Sequence, residues 1–340
     1  MDGRWEAGRI EAPSGAAGGV RVVAPARLHL GFLDLHGGLG RKFGGIGIAL
    51  AEPCTVLTVR RAERLSVSGP SAERARQTAL RLIDGMRIEG GFEIALEQAI
   101  PEHAGLGSGT QLALALGAAL ACCAGQPVYP HEIASLARRG ARSGIGIGAF
   151  SMGGVIVDGG RTEEDEKPPP IVSRLAFPED WRVVLLLDPR GGGLHGPAEH
   201  EAFHLLPRFP ERLAAELCRL VLIQALPALA EADLPRFGEA VTELQRRVGD
   251  YFAPAQGGRF SSPQVAAALA WLEAAGVAGF GQSSWGPTGF ALAASQAEGE
   301  ALMAEAERRW GGSLRFRLVR GRNRGAEIGP LDPGPEARQG

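Results

Sequence analysis

The stretch Pro101-Glu-His-Ala-Gly-Leu-Gly-Ser-Gly-Thr-Gln111, followed by the apolar run Leu112 to Ala124, decides how this chain is read. Gly105, Gly107 and Gly109 let the backbone approach a ligand without interference from a Cβ. A helix opening near Ser108 offers unpaired N–H groups and the positive end of its dipole to an anion. The spacing lacks the Gly-Lys-Ser/Thr ending of a P-loop and the strand-led G-x-G-x-x-G of dinucleotide folds. A helix start that uses Ser108 or Thr110 only as a cap explains the same glycines without a ligand. The run behind the loop is too uniformly apolar for a surface helix and should pack in the middle of a domain.

Working outward, residues 1–19 form an expected flexible tail rich in Gly, Ala and Glu, and order should begin at Val20. Arg21 to Leu30 reads as a strand pair or bent strand with a break at Pro25, and Val56 to Arg60, Phe92 to Leu96 and Gly153 to Asp158 as strands. Ala72 to Asp84 has helical periodicity, and Pro130 to Arg139 suggests another helix. The run Thr162-Glu-Glu-Asp-Glu-Lys-Pro-Pro-Pro170 blocks regular structure and marks a boundary. It separates an N-terminal domain at 20–165 from a C-terminal domain at 171–325, with 326–340 as a second flexible tail. In the second domain, strands at 182–187, 277–281, 288–293 and 314–319 and helices at 212–226, 234–250, 263–275 and 296–310 make a split βαβ-like pattern.

With 340 residues the chain can bury a sizeable core, in two domains or one large one. The formal net charge of −2 argues against a partner held by bulk electrostatics, so no nucleic acid and no membrane is expected, and local basic clusters must do any anion binding. Cys54, Cys122, Cys123 and Cys218 make no C-x-x-C pair and meet no histidine at zinc spacing; Cys122 and Cys123, inside the apolar helix, read as small buried thiols, and a reducing cytoplasm is expected. No signal-peptide core precedes Val20, and no apolar run is expected to reach membrane-spanning length.

Five further segments carry chemistry. Ala24-Pro-Ala-Arg-Leu-His-Leu-Gly-Phe-Leu-Asp-Leu-His36 sets Arg27 and His29 on one strand face, where a buried guanidinium wants an anion and the imidazole can donate or accept. Pairing of Arg27 with Asp34 is the plainer explanation. Leu39-Gly-Arg-Lys-Phe-Gly-Gly-Ile-Gly47 carries Arg41 and Lys42 between glycines, able to close over a diphosphate or carboxylate, or simply a solvated basic loop. Arg138-Arg-Gly-Ala-Arg-Ser-Gly-Ile-Gly146 brings Arg139 and Arg142 into a glycine run that suits phosphate, although a basic helix end accounts for Arg138 and Arg139 equally well. His195 and Glu199, after a strand end, lack the H-E-x-x-H spacing, leaving at most one Glu to position Mg²⁺ or a substrate. Gly281-Gln-Ser-Ser-Trp-Gly-Pro-Thr-Gly289 offers Trp285 either as a stacking surface or as a lid on the core.

In this order the segments resemble the fold family named for galactokinase, homoserine kinase, mevalonate kinase and phosphomevalonate kinase, over roughly Val20 to Val319. The resemblance implies an α+β, GHMP kinase-like two-domain fold, with an N-terminal domain like ribosomal protein S5 domain 2 and a ferredoxin-like C-terminal domain. Three departures set the chain apart from the kinases. The aspartate that serves them as base, three residues after Ser143 in the matching segment, is replaced by Gly146, the second serine of their loop by Gly109, and part of their third glycine motif by Ser283, Ser284 and Trp285. Glycine cannot take a proton.

One branch carries these same substitutions, together with Arg-Leu-His-x-x-x-x-Asp-Leu, Gly-Leu-Gly-Ser-Gly-Thr-Gln and Arg-Ser-Gly-Ile-Gly. The chain thus resembles the β-ribofuranosylaminobenzene 5′-phosphate synthases, also called ribofuranosylphenol phosphate synthases, nearly end to end. That resemblance implies condensation of 5-phosphoribosyl diphosphate with 4-aminobenzoate or 4-hydroxybenzoate, releasing CO₂ and diphosphate, in tetrahydromethanopterin biosynthesis. It implies Mg²⁺ as cofactor, small-molecule partners and a homodimer. The expected roles are Arg27, His29 and Asp34 in catalysis, Gly105, Leu106, Gly107, Ser108, Gly109, Thr110 and Gln111 around phosphate, and Arg27, Arg41 or Arg142 on the benzoate or diphosphate. Ser143, His195, Ser284 and Trp285 should complete the substrate site, and Asp34 or Glu199 should orient Mg²⁺. An ATP-dependent kinase and a non-catalytic ligand sensor on the same fold are the alternatives.

Overall fold

Two long antiparallel strands, β1 (Val20–Asp34) and β2 (Phe43–Ala62), form the spine of the computed structural model. It describes residues 9–11, 13, 18–162, 164, 167–191, 193, 202 and 206–331. On the edge away from β1, β2 serves two partners along its length. Its second half pairs with β4 (Gly91–Gln98), while Gly45 to Ile48 pairs with β5 (Val155–Asp158), which in turn carries β6 (Ile171–Leu175). β3 (Ser66–Ser68) runs parallel to β4, and β11 (Glu327–Pro330) closes the far edge against the start of β1, Val20 opposite Pro330.

Helices α1 (Ala72–Gly85), α2 (Ser108–Cys123), α3 (Pro130–Leu136) and α4 (Ile145–Ser151) share one core with Val20, Val22 and Ala24 of β1 and Ile94 of β4. The Ala- and Leu-rich composition of α2 favours helix, and every residue from Gln111 to Cys123 is buried, as its unbroken apolar run requires. Burial of each of Leu114, Leu116 and Leu120 contributes about 1.5–3 kcal/mol. Beyond the register shift between Pro25 and Ala26, β1 passes into a second core. There Ala26, Leu28 and Leu30 meet α5 (Glu211–Ala230, with a π turn at Val221–Ala225) and α6 (Leu234–Gln256).

The second sheet is antiparallel in the order β10 (Arg315–Arg320), β7 (Arg182–Leu187), β9 (Gly289–Ala293), β8 (Phe280–Gln282). Its core includes α7 (Pro263–Ala274) and, at the margin, α8 (Gln296–Trp310). Ser262 and Ser295 cap these helices, their hydroxyls accepting from the N–H groups of Val265 and Glu298, each at 3.2 Å. The α+β two-domain reading stands, but its boundaries move. β6 belongs to the first sheet, so the second lobe begins after Leu175, and the chain returns to the first lobe through β11, where a tail was expected from residue 326. Ile10 bridges to Val128, so the first stretch is not wholly a loose tail. Gly-rich residues 145–151 form α4, and the segment read as a flexible basic loop is strand from Phe43 onward. Contrary to expectation, α5 is long and apolar enough to cross a membrane. One face of it packs into the second core through Leu217, Val221 and Leu229, while Leu222 and Ile223 stay exposed.

Candidate active site

The glycine loop is riveted between the two lobes. The Gly105 carbonyl accepts from Arg27 Nη1 and from Ser283 Oγ at 2.7 Å, and the Ser283 hydroxyl accepts in turn from the His29 N–H at 3.0 Å. The Arg27 N–H donates to the Leu106 carbonyl at 3.1 Å and the Ser284 N–H to the His29 carbonyl at 3.1 Å. Gly105 has φ of 74°, and a Cβ there would lie 2.3 Å from the Ser283 carbonyl oxygen, so both conformation and space demand glycine. The loop's shape is therefore fixed by β1 and by the β8–β9 turn.

That loop forms one wall of a cleft of about 960 Å³. Gly105, Gly107, Ser108, Gly109 and Thr110 line it, together with seven cations: Arg27, Arg74, Arg138, Arg139, Arg142, Arg161 and Lys167. No carboxylate lines it among the described residues. A Cβ on Gly109 would lie 2.6 Å from Arg74 Nη2 and 3.2 Å from Arg139 Cζ, so two guanidiniums sit over the start of α2. Arg74 has Glu102 at 3.4 Å. Arg139 is held below the usual arginine range first by burial and then by the like charges of Arg74 and Arg81. An anion bound here would relieve both the repulsion and the positive dipole end of α2.

His29 is buried, and burial followed by the charge of Arg27 lowers its pKa to about 3, so the imidazole is neutral at physiological pH. Its Nε2 has no partner among the described residues. Behind the cleft wall, Asp158 accepts from Ser143 Oγ at 3.1 Å and from the N–H groups of Gly144 at 2.9 Å and Gly160 at 3.0 Å. Burial raises its pKa to about 6 against the opposing pull of those donors. Gly146 lines the cleft from α4, and a Cβ there would stand 3.0 Å from Thr110 Cγ2, so a side chain has little room at this point.

Of the residues named from sequence, Arg27, His29, Gly105, Gly107, Ser108, Gly109, Thr110, Arg142, Ser143, Ser284 and Trp285 meet in this cleft. Leu106 is buried beneath the loop, and Gln111 braces α4 by donating to the Gly146 carbonyl at 2.7 Å. Arg41 corrects the sequence reading. Its guanidinium donates to the carbonyls of Gly159 at 2.9 Å and Gly160 at 2.6 Å, tying two strands' ends rather than lining the cleft. The Asp34 carboxylate likewise accepts from the N–H groups of His36 at 2.7 Å and Gly37 at 3.0 Å, closing a turn away from the cleft. His195 and Glu199 lie outside the described residues. Arg74, Arg161 and Lys167 escaped the sequence reading, because Arg74 lies on α1 and the other two on the segment between β5 and β6, and none carries a local signature. Ser283 stood in a quoted motif, but only tertiary contact reveals its bridging role. Among the described residues no three His, Cys, Asp or Glu side chains cluster as metal ligands.

Sequence-family models described as "GHMP kinases N terminal domain" and "GHMP kinases C terminal" match residues 73–154 and 225–312. A protein of Archaeoglobus fulgidus named beta-ribofuranosylphenol 5′-phosphate synthase is 33% identical, covering 91% of this chain and 99% of the relative. Its namesake in Methanothermobacter thermautotrophicus is 32% identical, covering 90% and 97%. Among solved structures, the mevalonate diphosphate decarboxylase of Enterococcus faecalis superposes with a TM-score of 0.63 at 16% identity, covering 92% of this chain and 99% of that one, a likeness of fold alone.

Proposed function

The chain belongs to the β-ribofuranosylphenol 5′-phosphate synthase family, within the GHMP kinase fold, and from that premise we propose the reaction it catalyses. It joins 5-phosphoribosyl diphosphate to a para-substituted benzoate, 4-hydroxybenzoate or 4-aminobenzoate, and releases CO₂ and diphosphate. The observation that carries this is the cleft lining of seven cations with no carboxylate among the described residues, set against the loop Gly105 to Thr110. Such a surface suits a ligand with anionic groups at both ends.

The bond from the anomeric carbon to diphosphate breaks with its electron pair leaving on oxygen, and the sugar becomes oxocarbenium-like. Arg74 and Arg139, placed over Gly109, neutralise charge on the departing group, and the α2 N–H groups hold it in place. The ring carbon bearing the carboxylate, made nucleophilic by the para oxygen or nitrogen, forms the new C–C bond. The bond to the carboxylate then breaks, its electrons restore the aromatic ring, and CO₂ departs. No enzyme nucleophile is needed, which accords with a glycine at 146.

Mg²⁺ is proposed on diphosphate chemistry alone. A protein-held Mg²⁺ wants one or two carboxylates, and the described cleft residues do not fit it, since Asp34 closes a turn elsewhere. No step is routed through the ion. Residence in the cytoplasm, with which the four unpaired cysteines accord, and assembly as a homodimer are further proposals, the latter testable by sedimentation.

The decisive assay supplies carboxyl-labelled 4-hydroxybenzoate or 4-aminobenzoate with 5-phosphoribosyl diphosphate and Mg²⁺. Labelled CO₂ should appear only when benzoate and donor are both present. Absence of release with either benzoate, or phosphorylation of a small molecule from ATP, would replace the synthase reading.

A further inference from the structure

Two cations of the cleft are set by groups that stand outside it. Arg142 precedes α4, Arg161 follows the end of β5, and both line the cleft. The Asp158 carboxylate joins the two segments. Its Oδ2 accepts from Ser143 Oγ at 3.1 Å and from the Gly144 N–H at 2.9 Å, next to Arg142, and its Oδ1 accepts from the Gly160 N–H at 3.0 Å, next to Arg161. Asp158 is fully buried and does not line the cleft. Arg41, also outside the cleft, takes the other side of the same turn, donating to the Gly159 and Gly160 carbonyls at 2.9 and 2.6 Å. Gly160 is thus held at its N–H by a carboxylate and at its carbonyl by a guanidinium. The backbone beside it completes the buckle. The Lys42 N–H donates to the Arg161 carbonyl at 2.8 Å and the Arg161 N–H to the Lys42 carbonyl at 3.0 Å, while the Arg161 guanidinium lies over the Phe43 ring at 5.7 Å.

The donors around Asp158 explain why a carboxylate stands there. Ser143, Gly144 and Gly160 each present a hydrogen to it, and an ionised carboxylate accepts through both oxygens. An amide would turn its own N–H₂ toward either the Gly144 or the Gly160 N–H. Burial opposes the charge and raises the pKa to about 6, while the donors pull it down, so both oxygens accept at neutral pH and above. We propose, resting on the synthase reading, that Asp158 and Arg41 are positioning residues for the phosphoribosyl donor, setting Arg142 and Arg161 on the cleft wall to receive its anionic groups. Neither touches the donor. A guanidinium displaced by about 1 Å loses much of its hold on a phosphate oxygen, so the buckle acts on donor affinity through the two cleft arginines. The same carboxylate steadies the first turn of α4, and a fall in stability alone would not separate positioning from folding.

Asp158→Asn and Arg41→Ala test this by titration calorimetry with 5-phosphoribosyl diphosphate at about pH 8, where Asp158 is ionised, alongside CO₂ release. Asp158→Asn should raise Kd for the donor about 30-fold and Arg41→Ala about fivefold. In both, KM for the benzoate should stay within about twofold of the wild type, and kcat at saturating donor within about threefold. The discriminating measurement is a double-mutant cycle. In an Arg161→Ala background, Arg41→Ala should change Kd by no more than about twofold, and the effect of Asp158→Asn should shrink by about threefold or more, because less is left to position. A loss of stability, or of charge at a distance, would instead add in full. Arg41 is at the surface, so its arm stands whether or not Asp158→Asn folds. If the wild type releases CO₂ but a folded variant binds the donor within about twofold of it, or its loss adds in full to that of Arg161→Ala, that residue has no positioning role and the synthase reading survives. If the wild type turns over neither benzoate, the functional reading falls and this role with it.

Discussion

Arginines on the outer surface of α6 and arginines in the cleft hold the same group in opposite circumstances. Arg247 donates to Glu243 and Glu216, each at 2.6 Å, and Arg246 to Glu273 at 3.0 Å, and these hydrogen bonds raise their pKa values above the ordinary range. Arg139 is pushed the other way by burial and by neighbours of its own sign. The first set is compensated within the fold, each exposed pair contributing about 0–1 kcal/mol. The second gains full compensation from a bound anion, so its cost in the free protein is returned on binding.

The largest effect should come from Arg139→Ala. Its Kd for 5-phosphoribosyl diphosphate should rise about 1000-fold, about 4 kcal/mol, while its melting temperature stays at or above that of the wild type. Titration calorimetry and thermal denaturation together check this, and a melting temperature that falls in step with affinity would erase the contrast. Next is the neutral His29. Its pKa is depressed to about 3 in the fold from 6.5, so the stability it confers is present above pH 6.5 and drains as pH falls toward 3. The loss should reach about 3 kcal/mol by pH 4, and urea melts of His29→Phe across this range should show a flatter profile than the wild type.

Smaller again is Ser283→Ala, which leaves the His29 N–H without its acceptor and the Gly105 carbonyl with Arg27 alone. Stability should drop by about 2 kcal/mol and donor affinity about tenfold, measured on the same instruments. A full-affinity variant would show that the loop keeps its shape without this rivet. Smallest is Arg247→Ala, with donor Kd within twofold and stability lower by at most about 1 kcal/mol. A larger loss of affinity there would mean that the two sets of arginines are not distinct.

Sequence alone reached the loop Gly105 to Thr110 and the buried helix behind it, because glycine spacing and an unbroken apolar run are local signals. It also reached the paired sheets and most helices of the second lobe. It missed α4, since glycine disfavours helix and only burial among Ala49, Ile156 and Ile171 sustains those seven residues. It misplaced Arg41, whose setting between glycines imitates a phosphate loop. Backbone carbonyls 118 and 119 residues away claim the side chain instead. Arg74, Arg161 and Lys167 could not be grouped beforehand, since they converge only once α1, β5 and the segment after it have packed. Trp285 is buried against Phe252, as the lid reading expected, and it also borders the cleft.

The pairing of Val20 with Pro330 has its own consequence for biogenesis. A ribosome emits the first lobe's strands early, yet that sheet gains its outermost member only after residue 330 has been translated and has cleared the exit tunnel. Until then β1 presents a bare edge, able to recruit a neighbouring nascent chain, so β11 acts as a clasp that ends a vulnerable interval during synthesis.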